Sequence, residues 1–122
     1  MTTDAPAFTK AYVSADAATV TRVLRDAFAL PGADSLIEFR GLVIDIHRNS
    51  DFRDGEEDFL FWPVVVDVEA EGPDVSAEVL VDVLSSMLRT SWSADLPMVV
   101  ASALEDQLPW SGGIDRVNLP PS

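Results

Sequence analysis

The sequence has no cysteine, and its 122 residues include one histidine, one lysine and one tyrosine. Without cysteine there are no disulfides, thiolate metal centres or thiol nucleophiles. With a single imidazole, any metal site would have to be built mainly from carboxylates. Basic side chains are also scarce: 8 stand against 21 acidic ones, for a formal charge of −13. The phosphate backbone of nucleic acid is bound by clustered Lys and Arg, so nucleic acid is not an expected partner. No stretch approaches the roughly eighteen apolar residues of a membrane span, and the N-terminal region lacks a basic segment followed by an apolar one. The expectation is a cytoplasmic protein with no membrane partner.

What is present suits a folded domain. Hydrophobic residues make up 48% of the chain, and its length matches one domain covering residues 1–122, in which residues 114–122 form a proline-containing tail. The acidic excess is explained by solubility, or by attraction to a basic protein partner.

Residues 8–13 alternate as a strand. Ser14 or Asp16 can cap a following helix by accepting from its first-turn amides. Val20, Val23, Leu24 and Phe28 recur at helical spacing, and Pro31-Gly32 ends that segment. Residues 36–47 alternate with a phase shift at Gly41, which predicts one long strand carrying a bulge. Asp54-Gly55 marks a hairpin turn. Residues 59–69 form the returning strand, with Leu60, Trp62, Val64, Val66 and Val68 expected on the core face. Pro63 would have to sit at a bulge or where no ladder partner is needed. Ser76 can cap a second helix whose buried stripe is Leu80, Val83, Leu84, Met87 and Leu88, and residues 98–102 can close the sheet.

Strand, helix, strand, strand, helix, strand is the order of a ferredoxin-like α+β sandwich, βαββαβ, with one antiparallel sheet and two helices on one face. The uncovered face would then carry Val43, Asp45 and His47 beside Phe59, Phe61, Val65, Asp67 and Glu69. An apolar patch of that kind marks a binding surface, to be covered by the tail, a homodimer mate or another protein.

Chemistry has few carriers. Asp45 and His47 are two apart on a strand and share a face. With Asp67 they could serve acid–base or metal-dependent catalysis. The acids around Asn49, Asp51, Asp54, Glu56, Glu57 and Asp58 lack calcium-loop spacing, since Phe61 stands where a closing glutamate is required. Ser85, Ser86 and Ser91 have no nucleophile signature, and Gly112-Gly113 lacks the helix and lysine of a phosphate loop. No cofactor is expected.

Residues 103–113, Ala-Leu-Glu-Asp-Gln-Leu-Pro-Trp-Ser-Gly-Gly, are the most distinctive stretch. Glu105-Asp106, Leu108-Pro109 and Gly112-Gly113 resemble the closing segment of small uncharacterised bacterial proteins. The likeness extends back to Val68, Glu69, Leu84 and Leu88. It implies a shared fold and no particular activity, and Ala103 and Leu104 stand where a cysteine or aspartate would be expected. Read physically, Glu105 and Asp106 can close a turn, or join Trp110 in a recognition edge for a cationic protein.

The expectation is therefore a non-enzymatic acidic interaction module, such as an inhibitor of immunity or antitoxin type, with a basic protein or a second copy as partner. Its contact residues would be Val43, Phe59, Phe61, Val65, Glu105, Asp106 and Trp110. The alternatives are a small enzyme using Asp45, His47 and Asp67, and a ligand-sensing homodimer.

Overall fold

The computed structural model describes residues 8–55, 59–72, 75–101, 107–108 and 112. Its strands are β1 (Phe8–Val13), β2 (Leu36–Phe39), β3 (Leu42–Arg48), β4 (Val64–Ala70) and β5 (Met98–Ala101); its helices are α1 (Ala17–Ala27) and α2 (Ala77–Ser93). The strands form one open sheet in the order β2-β3-β4-β1-β5, every neighbouring pair antiparallel. This α+β arrangement is compatible with a ferredoxin-like sandwich.

Both helices start at side-chain caps. Asp16 accepts from the Thr19 amide at 3.0 Å and from its hydroxyl at 2.7 Å, and Ser76 accepts from the Val79 amide at 3.3 Å. Val20 and Leu24 of α1 join Leu80, Leu84, Met87 and Leu88 of α2 in one cluster. The same cluster takes in Ala11, Ile44 and Val66 of the sheet, so both helices cover the same sheet face. Leu24, Leu84 and Leu88 are fully buried. Truncating any of them to alanine leaves a cavity worth about 2–5 kcal/mol.

Two expectations are corrected. Residues 36–47 do not form one bulged strand. Arg40 and Gly41 both have positive φ, 53° and 80°, the requirement of a tight hairpin turn. The chain therefore reverses, and β2 returns as β3 with Ile37 opposite Ile44 and Phe39 opposite Leu42. The phase shift in the sequence marks this reversal, which gives the sheet five strands rather than four.

The second correction lies after the Asp54-Gly55 turn. Residues 59–61 form a single 3-10 turn, not strand, and β4 begins only at Val64. Pro63 has no amide to donate, so the ladder with β3 cannot run back past it. The Trp62 amide instead closes onto the Phe59 carbonyl at 3.1 Å. Leu60, expected in the core, is exposed. Trp62 is buried outside the main cluster, against Phe59.

The β2 edge is tied off. Arg25 of α1 donates from Nε to the Asp34 carbonyl (2.9 Å), from Nη1 to that of Pro31 (2.9 Å) and from Nη2 to that of Leu36 (3.3 Å). The Leu36 amide donates to Asp34 Oδ1 at 3.0 Å. Both backbone groups of Leu36 thus have partners within the chain, which restrains pairing of this edge with another strand.

Candidate docking face

Side chains alternate across a strand, so the residues between the core-facing ones point away from the helices. Register aligns them in rows. His47, Val65, Tyr12 and Val99 form one row across β3, β4, β1 and β5; Leu36, Asp45, Asp67, Lys10 and Ala101 form the next across all five strands; Glu38, Val43 and Glu69 belong to a third.

The chain itself closes one half of this face. The 3-10 turn folds over the first row, and the Phe59 ring meets Tyr12 edge-on with centroids 5.4 Å apart and contacts Trp62 at 6.4 Å. Val65 is 4% exposed and Val99 fully buried. Phe61 sits under the Arg53 guanidinium, 4.8 Å from its ring centre. Phe59, Phe61 and Val65, expected together on an exposed strand, are therefore divided between this turn and a covered row. Asn49 secures the turn. Its buried amide nitrogen donates to the carbonyls of Leu60 (2.9 Å) and Trp62 (2.8 Å), and its Oδ1 accepts from the Asp51 amide (3.0 Å). The polarity of residues 49–58 gave no sign of this role, because its partners lie eleven and thirteen residues away.

The other half, over β2, β3 and the end of β4, is covered neither by the helices nor by this turn. Leu36 is 47% exposed there, Val43 is half-buried, and Glu38, Asp45 and Glu69 are exposed. Asp45 stands directly opposite Asp67. Like charges in that position repel.

The sequence-predicted trio is only partly assembled. His47 Nε2 donates to Asp67 Oδ2 at 2.6 Å, and Nδ1 donates to the Arg48 carbonyl at 3.1 Å. Both ring nitrogens act as donors only in the imidazolium, which this geometry therefore favours. The Asp67 hydrogen bond raises the His47 pKa above its ordinary 6.5; partial burial opposes this, while the Arg48 carbonyl and the charges of Asp67 and Asp45 add to it. Asp67 Oδ1 is buried with no hydrogen-bond partner.

Among the described residues, no three His, Asp or Glu side chains come together in a way that could hold a metal ion. A shallow hollow of about 240 Å³ is lined by Asp16, Ala17, Arg48, Phe52, Pro63 and Val64, and none of the trio reaches it. Glu105, Asp106 and Trp110 lie outside the described residues, as do Glu56 to Asp58 and residues 114–122. Of the distinctive C-terminal stretch, Leu108 is buried in the core, and Gly112 lies so close to β5 that an added Cβ would come within 2.6 Å of the Val100 carbonyl. No helix among the described residues is long and apolar enough to cross a membrane.

No protein-family model matches the chain, and neither a curated protein nor a solved structure was found that resembles it.

Proposed function

We propose that this chain is a non-enzymatic interaction module of ferredoxin-like topology that docks a basic protein on the open half of its sheet. The carrying observation is the juxtaposition of Leu36 and Val43 with Glu38, Asp45, Asp67 and Glu69 on a surface left uncovered by both helices and by the 3-10 turn. The apolar residues would supply durable affinity. The acids, within a molecule of charge −13, would speed the encounter and select cationic partners. An inhibitor that masks a basic surface, of immunity or antitoxin type, would use such a face. The placement of Asp45 opposite Asp67 supports this reading, since a repulsive pair lowers stability and suits a surface completed by an external cation.

The His47–Asp67 bond supports a second reading, acid–base catalysis. It is the weaker of the two, because among the described residues no third His, Asp or Glu joins the pair in a cluster.

The test uses charge-matched reversals. A fluorescent peptide of alternating arginine and leucine is titrated at low ionic strength against the wild type, Asp45→Lys, and Asp26→Lys on the exposed side of α1. Loss of binding in Asp45→Lys with retention in Asp26→Lys is the expected result. Equal weakening in both would reduce the interaction to net charge and overturn the assignment to this face.

A further inference from the structure

Resting on the docking function proposed above, we infer that His47 is an internal cation holding Asp67 until a partner's arginine or lysine displaces it, so that docking on this face is suppressed when the imidazole is protonated. His47 reaches Asp67 from the adjacent strand, where it is bonded at 2.6 Å while its side chain stays 44% exposed. It uses one carboxylate oxygen, Oδ2, and leaves the other without a hydrogen bond. Oδ1 is buried, so Oδ2 is the oxygen for which His47 and an incoming cation compete, and an arginine, charged at every pH at which the imidazole titrates, takes it once the imidazole is neutral.

The surroundings determine the sign. From β3, Asp45 lies two residues from His47 on the same face, and Arg48 follows it in sequence. From β4 come Asp67 and, two residues on, Glu69. From β1 comes Lys10, in register with Asp67. β2 brings Leu36 opposite Asp45 and Glu38 opposite Val43. The loop after β3 carries Asp51, Arg53 and Asp54, with Arg53 stacked on Phe61. Acids dominate this set, so the imidazolium is favoured in the free protein, and deprotonation removes one cation from the face a basic partner needs.

The experiment measures affinity for the same arginine–leucine peptide, its N-terminus blocked so that its charge is constant, from about pH 5.5 to about pH 8.5. Wild type, His47→Gln and Asp67→Asn are compared. The wild type should bind about three- to fivefold more tightly at the alkaline end, the scale of one exposed ion pair. His47→Gln should be flat in pH and match the alkaline limb. Asp67→Asn keeps a titrating imidazole but no carboxylate for it to hold, and should lose most of the pH dependence. Identical profiles for wild type and Asp67→Asn would show an effect of net charge and overturn the inference, as would an unchanged slope in His47→Gln. Absence of binding by all three proteins at every pH would instead overturn the docking function itself.

Discussion

The Phe59 ring meets Tyr12 edge-on at 5.4 Å, and this contact divides the helix-free sheet face into a covered half and an open one. Tyr12 lies between Val65 and Val99 in cross-strand register. Phe59→Ala removes the lid from this row together with the contact to Trp62. Loss of about 1–3 kcal/mol is expected in urea unfolding, from the ring pairs and the area they bury. Unchanged stability would mean that the turn does not protect the row.

Asn49→Ala should be more damaging than its place in a polar loop suggests. It leaves the carbonyls of Leu60 and Trp62 without the buried donor they share. A cost of about 1–3 kcal/mol is expected, from the loss of both bonds, of which the one to the Trp62 carbonyl is buried. Asn49→Asp should be equally harmful, because an ionised carboxylate donates nothing. A loss below about 0.5 kcal/mol, the level of an ordinary surface change, would contradict the role given to this side chain.

Arg25→Ala frees three carbonyls in the α1–β2 connection and unblocks Leu36 at the sheet edge. A destabilisation of about 1–3 kcal/mol is expected, together with self-association that grows with concentration. Arg25→Lys should restore little, because a single ammonium cannot span the three acceptors. Analytical ultracentrifugation reads the second effect. A monomeric Arg25→Ala at all concentrations would show that Arg25 braces the connection but does not guard the edge.

The His47–Asp67 pair makes stability depend on pH in a fixed direction. The native pKa of His47 lies above 6.5, raised chiefly by its hydrogen bond to Asp67. The contribution is therefore complete below 6.5 and disappears as pH rises through the native value. The stability difference between wild type and His47→Gln should be greatest on the acid side and vanish on the alkaline side. Both groups are partly solvated, so it should not exceed about 1 kcal/mol. A difference that grows with pH would contradict the bonded geometry.

The apolar periodicities at Val20/Leu24 and Leu80/Leu84/Met87/Leu88, with Asp16 among the candidate caps and Ser76 as the second, suffice to read both helices from the sequence, since each is a local signal. The sharing of one strand face by Asp45 and His47 was legible for the same reason. The turn at Arg40-Gly41 was not, because an extra residue and a reversal produce the same phase shift in a one-dimensional pattern. They differ only in which strand β2 pairs with. The 3-10 turn was hidden by a hydrophobic run, Phe59 to Trp62, that suits a strand until Pro63 removes the donor. Asn49 and Arg25 act through partners set by tertiary structure, and the bond between His47 and Asp67 spans a register of twenty residues that no local pattern encodes.

The availability of the open half of the sheet face is tested most directly by two-dimensional NMR of the labelled protein during titration with the arginine–leucine peptide. Amide shifts clustered at Leu36, Val43, Asp45, His47, Asp67 and Glu69, and lost in high salt, are the expected result. Shifts spread evenly over the acidic surface, including the exposed side of α1, would contradict the proposed docking face.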